Sequence, residues 1–443
     1  MTVLGKPPSG FLPRSVALWV AAFYVGLFII RPWEILIPQL GAIHFERWVA
    51  IFMILCVITT CGFRFRWEVQ NLAVVTFMVM IALTTLAAWN VSTAWDASYV
   101  FLTQAVCYFV LVSVIRSPYD LLFIVGAYIG FMDIYLGKAL WEYFINGRHV
   151  YAQGVTRLVG IEYSFGNHNA LAGSIVISLP VWLFLWRNRT QILAQWPAFW
   201  QRVIRYGLAT YPCLGVLCVV LTNSRMGMLN LCVFVMLWSM QGRSKVRIFG
   251  GALLMLAIVG IAWFVLPKEQ QDRMRTIWDP TINASADLST EGRVVAFHTA
   301  MEIFRRFPLV GVGPGNFMPY RQQCVDGIHL APHNLFGQML AETGLFGAGA
   351  FLFLIGATLI NGRRVRRCSA GCADSTLSLL GSLTLACRNS MLLIFVEGVA
   401  THNFYRFNWL WLGAFCSLAA QFAPAIRARS VVGDDDCEDE SVG

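Results

Sequence analysis

Residues 335–360 read LFGQMLAETGLFGAGAFLFLIGATLI, twenty-six positions in which Glu342 is the only charged side chain. At about 1.5 Å per residue a helix of this length exceeds the roughly 30 Å hydrocarbon core of a bilayer. A soluble helix would need a polar face, which this stretch lacks, so it reads as a membrane span. Working outward, comparable runs lie at about 16–30, 46–61, 70–89, 98–115, 119–137, 168–186, 207–222, 226–240 and 248–266 before it, and about 376–396 and 404–424 after it. The sequence therefore predicts an all-α integral membrane protein with about twelve transmembrane helices. Composition agrees, with 57% hydrophobic and 13% charged residues among 443, against roughly 25% charged in soluble domains. The first run has no small-residue cleavage site and is followed by further spans, so it reads as an anchor.

Lys and Arg set the expected orientation. Arg64 and Arg66, then Arg187, Arg189, Arg202 and Arg205, then Arg243, Lys245 and Arg247, and finally Arg363, Arg364, Arg366 and Arg367 fall in alternate loops. Basic loops stay cytoplasmic, which sends the long loops at about 138–167 and 267–334 to the opposite, periplasmic side. The expected organisation is nine spans over 1–266, a partly helical periplasmic loop over 267–334 between spans nine and ten, three spans over 335–424, and an acidic cytoplasmic tail over 425–443 whose Asp434 to Glu440 stretch reads as disordered. The net charge of +9 follows from this bias toward an anionic leaflet, so membrane lipids and not nucleic acid are the implied partners. Of twelve cysteines, eight lie in spans and act as small apolar residues, and Cys324 alone sits in a long periplasmic loop, so no disulfide framework follows. Cys368 and Cys372 have no second pair or nearby His to make a zinc site.

Ionisable groups inside the spans mark transport pathways, and here they are few: Asp133, Glu142, Glu342 and Arg388. Polar residues gather instead in the two long loops and the helix ends beside them, which favours chemistry at that interface. Three segments carry candidate groups. In Ala331-Pro332-His333-Asn334, Pro332 stops any earlier helix and places His333 and Asn334 in the first turn of the next. The helix-start field there disfavours imidazolium, and a neutral His suits proton abstraction from a hydroxyl; a plain cap or surface residue is the alternative. In Thr222-Asn223-Ser224-Arg225 a short turn pins Arg225, whose guanidinium can fork onto phosphate oxygens or grip lipid headgroups.

The third segment is Ser289 to Pro308. Ser289 is expected to cap an amphipathic helix with Arg293 in its first turn and Val294, Phe297, Met301 and Phe304 on one face, making an anion site from Arg293 and the helix N-terminus. The following GVGPGNF at 311–317 is not a phosphate loop, because no strand precedes it and no Lys-Ser or Lys-Thr follows. Asp272, Asp279 and Asp287 are spaced without an Asp-x-Asp pattern, so neither a metal nor a cofactor is expected. Arg31-Pro32-Trp33-Glu34 reads as an interfacial turn, and Thr401-His402-Asn403 with Arg406 echoes the Pro-His-Asn stretch.

Taken in order, Phe165-Gly166-Asn167-His168-Asn169-Ala170-Leu171-Ala172, Ser224-Arg225-Met226-Gly227, Glu291-Gly292-Arg293 with GVGPGNF, and PHNLFGQMLAETGLFG resemble segments of the O-antigen ligase and polymerase superfamily. The resemblance covers roughly 165–347. It implies an inverting, metal-independent transferase that takes a glycan from an undecaprenyl pyrophosphate carrier. Carried over by motif, His333 activates the acceptor hydroxyl while Arg225 and Arg293 hold the pyrophosphate, with Arg157 and Asn334 as further substrate-binding candidates. Ligase, polymerase and protein O-oligosaccharyltransferase share this donor. The absence of an obvious extra domain in the main loop inclines the reading to a ligase with a lipid A-core acceptor, in lipopolysaccharide biosynthesis. The Arg31–Glu34 opening also resembles a ligase subgroup tied to exopolysaccharide and protein sorting. A lipid-linked glycan flippase is the alternative from another class.

Overall fold

A computed structural model describes residues 15–34, 37–63, 65–152, 155–160, 167–241, 284–372 and 374–439, with scattered positions between 246 and 275. Most of the ninth expected span, 248–266, and most of the loop up to 283 lie outside the described residues, as do Arg64, Arg243, Lys245, Arg247, Asp272, Asp279 and the 161–166 stretch.

The protein is an all-α integral membrane protein. In chain order the helices are α1 (Val16–Ile30), α2 (Pro38–Ala42), α3 (Phe45–Cys56), α4 (Val69–Leu86), α5 (Val91–Val114), α6 (Pro118–Phe144), α7 (His168–Arg187), α8 (Arg189–Ile192), α9 (Ala198–Leu221), α10 (Arg225–Met240), α11 (Ala284–Arg306), α12 (Phe317–Cys324), α13 (Leu335–Ser369), α14 (Ser375–Gly398) and α15 (Asn408–Asp439). Nine of the described helices are long and apolar enough to cross a membrane: α1, α4, α5, α6, α7, α9, α13, α14 and α15. The expected spans at 226–240 and 46–61 appear as shorter pieces: α10, and α3 continued by a wider π-turn through Cys61.

Several boundaries correct the sequence reading. The helix expected to end near 137 continues to Phe144, and the loop after it holds a small antiparallel hairpin, β1 (Val150–Ala152) with β2 (Val155–Arg157). The extension follows from Leu140, buried Glu142 and Ala139, which keep one face packed beyond the apolar run. The last helix begins at Asn408, leaving 402–407 as loop, and continues through much of the acidic tail to Asp439.

Helix starts follow capping chemistry. Asn90, Asn167, Ser224, Asn334 and Asp374 each accept a backbone N–H of the turn that follows, and Ser117 with Asp120 forms a reciprocal capping box at α6. Between spans, small residues and buried polar pairs carry the packing, as expected where lipid removes the hydrophobic drive between helices. A Cβ on Gly227 would lie 2.6 Å from Ala172 Cβ, which locks α10 against α7. Tyr108 donates to Asn71 Oδ1 at 2.7 Å, Thr358 to Gln70 Oε1 at 3.2 Å, and Asn230 to Leu393 O at 3.1 Å.

The chain alternates between two ends of this bundle. At one end Arg116 donates to Cys61 O, Arg187 to Gln241, and Arg427 to Arg367 O, gathering the basic loops. At the other, Leu158 N–H donates to Leu221 O, Trp89 N–H to Val312 O, and the Asn334 amide to Val399 O. The described parts of both expected long loops thus lie at the end away from those basic loops.

The glycine-rich turn has a structural task there. Gly344 sits at φ 59°, ψ −160° and breaks α13 after its second turn. The segment 308–313 fills the gap: Val312 and Gly313 N–H donate to Ala341 and Glu342 carbonyls, and Leu345 and Phe346 N–H donate to Pro308 and Leu309 carbonyls. A Cβ at Gly311 would lie 2.4 Å from the Glu342 carbonyl carbon, so only glycine permits this approach. Glu342 is consumed by the same joint, met by Gln338, Tyr405 and the backbone N–H groups of Gly315 and Phe317.

Candidate active site

The cleft is assembled from residues distant in sequence. Arg157 ends β2, is 1% exposed, and its Nη1 lies 2.6 Å from His168 Nε2 at the start of α7. The next turn of the site is Thr222–Arg225. Asn223, at φ 51°, donates through its amide to Thr156 O at 3.0 Å, and Ser224 Oγ hydrogen-bonds Asn169 Oδ1 at 2.6 Å. These bonds tie the α9–α10 turn to the hairpin and to α7, so Arg225 is placed beside Arg157.

Arg293 approaches from α11. Its placement corrects the sequence reading: α11 starts at Ala284, so Ser289 is not a cap and Arg293 lies in the third turn, not the first. Ala284, Ala286 and Leu288 are good helix formers that carry the helix upstream. The anion site from Arg293 plus a helix N-terminus is therefore not formed. The packed face also differs. Ala296, Ala300 and Ile303 are buried against α13, while Val294 is 53% exposed; close approach selects the small residues, with Ala300 Cβ 3.1 Å from where a Gly337 Cβ would lie.

His333 and Asn334 precede α13. Asn334 is the cap itself, accepting Gly337 N–H at 2.9 Å and donating to Val399 O at 2.9 Å, so both ends of its amide are engaged within the chain. His333 lies one residue before the cap, in left-handed backbone at φ 46°, not in the first helical turn. That backbone turns its imidazole toward the loop joining α14 and α15, where His402 meets it with ring centroids 5.4 Å apart. His402 is itself exposed.

Behind His402, Arg406 donates to Glu397 Oε2 at 2.9 Å and to Ala170 O at 3.2 Å, and Glu397 rests where a Cβ on Gly173 would stand. Sequence reasoning passed over Glu397, quoted His168 only within a family-like stretch, and gave His402 and Arg406 no role. Their usable signal was the repeated His-Asn pairs at 168–169, 333–334 and 402–403.

The charges of these groups act on one another. Burial, then the charges of Arg225 and Arg293, pushes Arg157 down to about 10. Burial and then Arg225 lower Arg293. His333 is pushed below its ordinary value by desolvation first and Arg293 second, and His402 falls to about 4 through desolvation, His333 and Arg406. Both imidazoles are thus held neutral by desolvation and neighbouring cations, with no helix-start field needed. Among the described residues no three His, Cys, Asp or Glu side chains gather as a metal cage. An apolar groove lined by Phe63, Phe65, Met78 and Phe109 opens near the basic end, offering almost no polar surface and no chemistry.

The described residues place Arg225, Arg293 and His333 in one cleft, all within a single stretch of 213–352 that matches the family model described as O-antigen ligase. That stretch, about a third of the chain, is similar to O-antigen ligases. Arg157, His168, His402 and Arg406 lie outside the matched residues and complete the same cleft. No curated protein matches the chain. The match supports a function of the O-antigen ligase or polymerase type in general.

Proposed function

We propose that this protein transfers a polysaccharide from undecaprenyl pyrophosphate to a lipid A-core acceptor, at the periplasmic face of a bacterial inner membrane. The observation that carries the reading is the mutual electrostatic contact of Arg157, Arg225 and Arg293 with His333 beside them. Like charges are brought together at a cost that a dianionic pyrophosphate would offset.

In this reading the acceptor hydroxyl oxygen attacks the anomeric carbon while its proton passes to neutral His333. The bond from that carbon to the pyrophosphate oxygen breaks, and the electron pair leaves with the carrier, whose growing charge the guanidiniums meet without a metal ion. Configuration inverts, because attack and departure lie on opposite faces. Asn334 acts on substrate only indirectly, by holding the α13 start against Val399.

Incubation of purified protein with lipid-linked glycan and either lipid A-core or a second lipid-linked repeat tests the proposal. Product with lipid A-core supports the ligase; product only with the second repeat makes the protein a polymerase. Absence of product in both, with glycan moved across vesicles, would make it a flippase.

A further inference from the structure

Antiparallel α13 and α14 carry Arg366, three residues before the α13 end away from the cleft, and Arg388, within the α14 span. Helical side chains lean toward their own N-terminus. Arg366 therefore leans toward the middle of its span and Arg388 toward the α14 start, so the two converge. Gly362 marks the level: a Cβ there would lie 3.2 Å from Arg366 Nη1 and 3.6 Å from Thr384 Cβ, one turn before Arg388. The charge of Arg388 bears directly on Arg366.

Arg388 Nη2 donates to Asn389 Oδ1 at 3.3 Å. Its Nε and the Nη1 of Arg366, by contrast, are closed off from solvent and find no acceptor among the described residues. Two cations facing each other between membrane helices, each with a buried donor unspent, make an arrangement that an anion would complete. Both residues retain partial exposure, so a ligand can reach them.

We propose that Arg366 and Arg388 form a binding site for a phosphate group, supplied by the headgroup of an anionic phospholipid in the leaflet at the basic end. Guanidiniums fork onto phosphate oxygens, and a basic crevice between membrane helices admits a headgroup whose acyl chains stay in the bilayer. Arg363, Arg364 and Arg367, exposed at the end of α13, draw anionic lipid to that rim.

The test uses the full chain in maltoside detergent, titrated with phosphatidylglycerol, phosphatidylcholine or inorganic phosphate while the thermal midpoint is followed. Native mass spectrometry then counts the lipid retained on the protein as purified. Phosphatidylglycerol should raise the midpoint and remain bound, while phosphatidylcholine does neither. Arg366→Gln and Arg388→Gln should weaken phosphatidylglycerol binding roughly tenfold or more, and Arg202→Gln, exposed on α9, should leave it unchanged. Equal stabilisation by inorganic phosphate, lost in the same two variants, supports the site with free phosphate as ligand. Equal binding by wild type and both variants overturns the proposal. So does wild-type protein that retains phosphatidylglycerol no better than phosphatidylcholine, a result that stands even if a variant fails to fold.

Discussion

The imidazoles of His333 and His402 meet edge to face, with centroids 5.4 Å apart and planes at 65°. His333 stands in left-handed backbone, which non-glycine residues adopt at a cost, so its position is held by the surroundings. With His333 as general base, His333→Ala should leave the protein inserted and slow transfer by roughly 10²- to 10⁴-fold. Near-parental turnover in the purified variant would reduce His333 to a turn residue.

The pH dependence has a definite sign. A base works when neutral, and His333 is lowered from 6.5 by desolvation and Arg293. Transfer should therefore persist as pH falls through 6.5 and decline only at lower pH. Arg293→Gln removes the second cause, so its residual activity should decline at higher pH than wild type. The stability linkage runs the same way for His402. Its contribution is present above 6.5 and is lost as pH falls toward about 4, where the folded-state imidazole finally accepts a proton. Rate profiles and thermal midpoints between pH 4 and 8 measure both, and a wild-type rate that halves at pH 6.5 or above would contradict this account of His333.

The joint between the glycine-rich turn and the broken α13 predicts a stability defect instead of a catalytic one. Gly311→Ala puts a methyl 2.4 Å from the Glu342 carbonyl carbon, and Gly344→Ala puts one 2.4 Å from the Leu309 carbonyl carbon, both at positive φ. Each should cost about 3 kcal/mol or more, seen as a lower thermal midpoint, whereas Gly349→Ala, with open space around it, should be neutral. Equal midpoints for all three would mean that the joint is loose.

Much of this was legible in the chain and some was not, for physical reasons. Apolar runs located most spans, because a bilayer imposes length and composition on each helix separately. The order of the Arg225, Arg293 and His333 motifs pointed to one site, and all three converge in the cleft. The register of α11 was not legible, since Ser289 with Glu291 mimics a helix start while Ala284 to Leu288 continue it upstream. Nor was the break at Gly344, which exists only because carbonyls and N–H groups of 308–313 replace the lost bonds. The pairing of His402 with His333 and of Arg406 with Glu397 depends on how the α14–α15 loop folds back, which no local pattern encodes.

Sidedness can be read with a native cysteine. Cys324 is exposed at the end of α12, on the cleft side of the bundle, while Cys368 and Cys372 lie at the opposite end. If the cleft faces the periplasm, a membrane-impermeant maleimide should label Cys324 in intact spheroplasts, and label lost in Cys324→Ser identifies the site. Labelling that requires membrane disruption would reverse the orientation.

The last prediction concerns the arginines themselves. Arg225 sits on a turn tied to the hairpin and α7, and Arg293 on the flank of α11, so they reach the cleft from two separately anchored elements. Planar forked contacts to two phosphates cannot be reproduced by an ammonium, which offers a point charge on a flexible stem. Arg225→Lys and Arg293→Lys should therefore both be impaired in turnover, by about 2 to 4 kcal/mol, the scale of losing one preorganised donor to a leaving oxyanion. The double variant should fall only modestly below either single one, because groups that act as a unit are strongly non-additive. Arg157 supplies the control within the same cluster. Its 1% exposure and its contact with His168 make Arg157→Lys disturb the floor of the cleft, so binding of the lipid donor should weaken along with turnover. Full activity in Arg225→Lys and Arg293→Lys would make those two residues lipid anchors and move the pyrophosphate site toward Arg157 and Arg406.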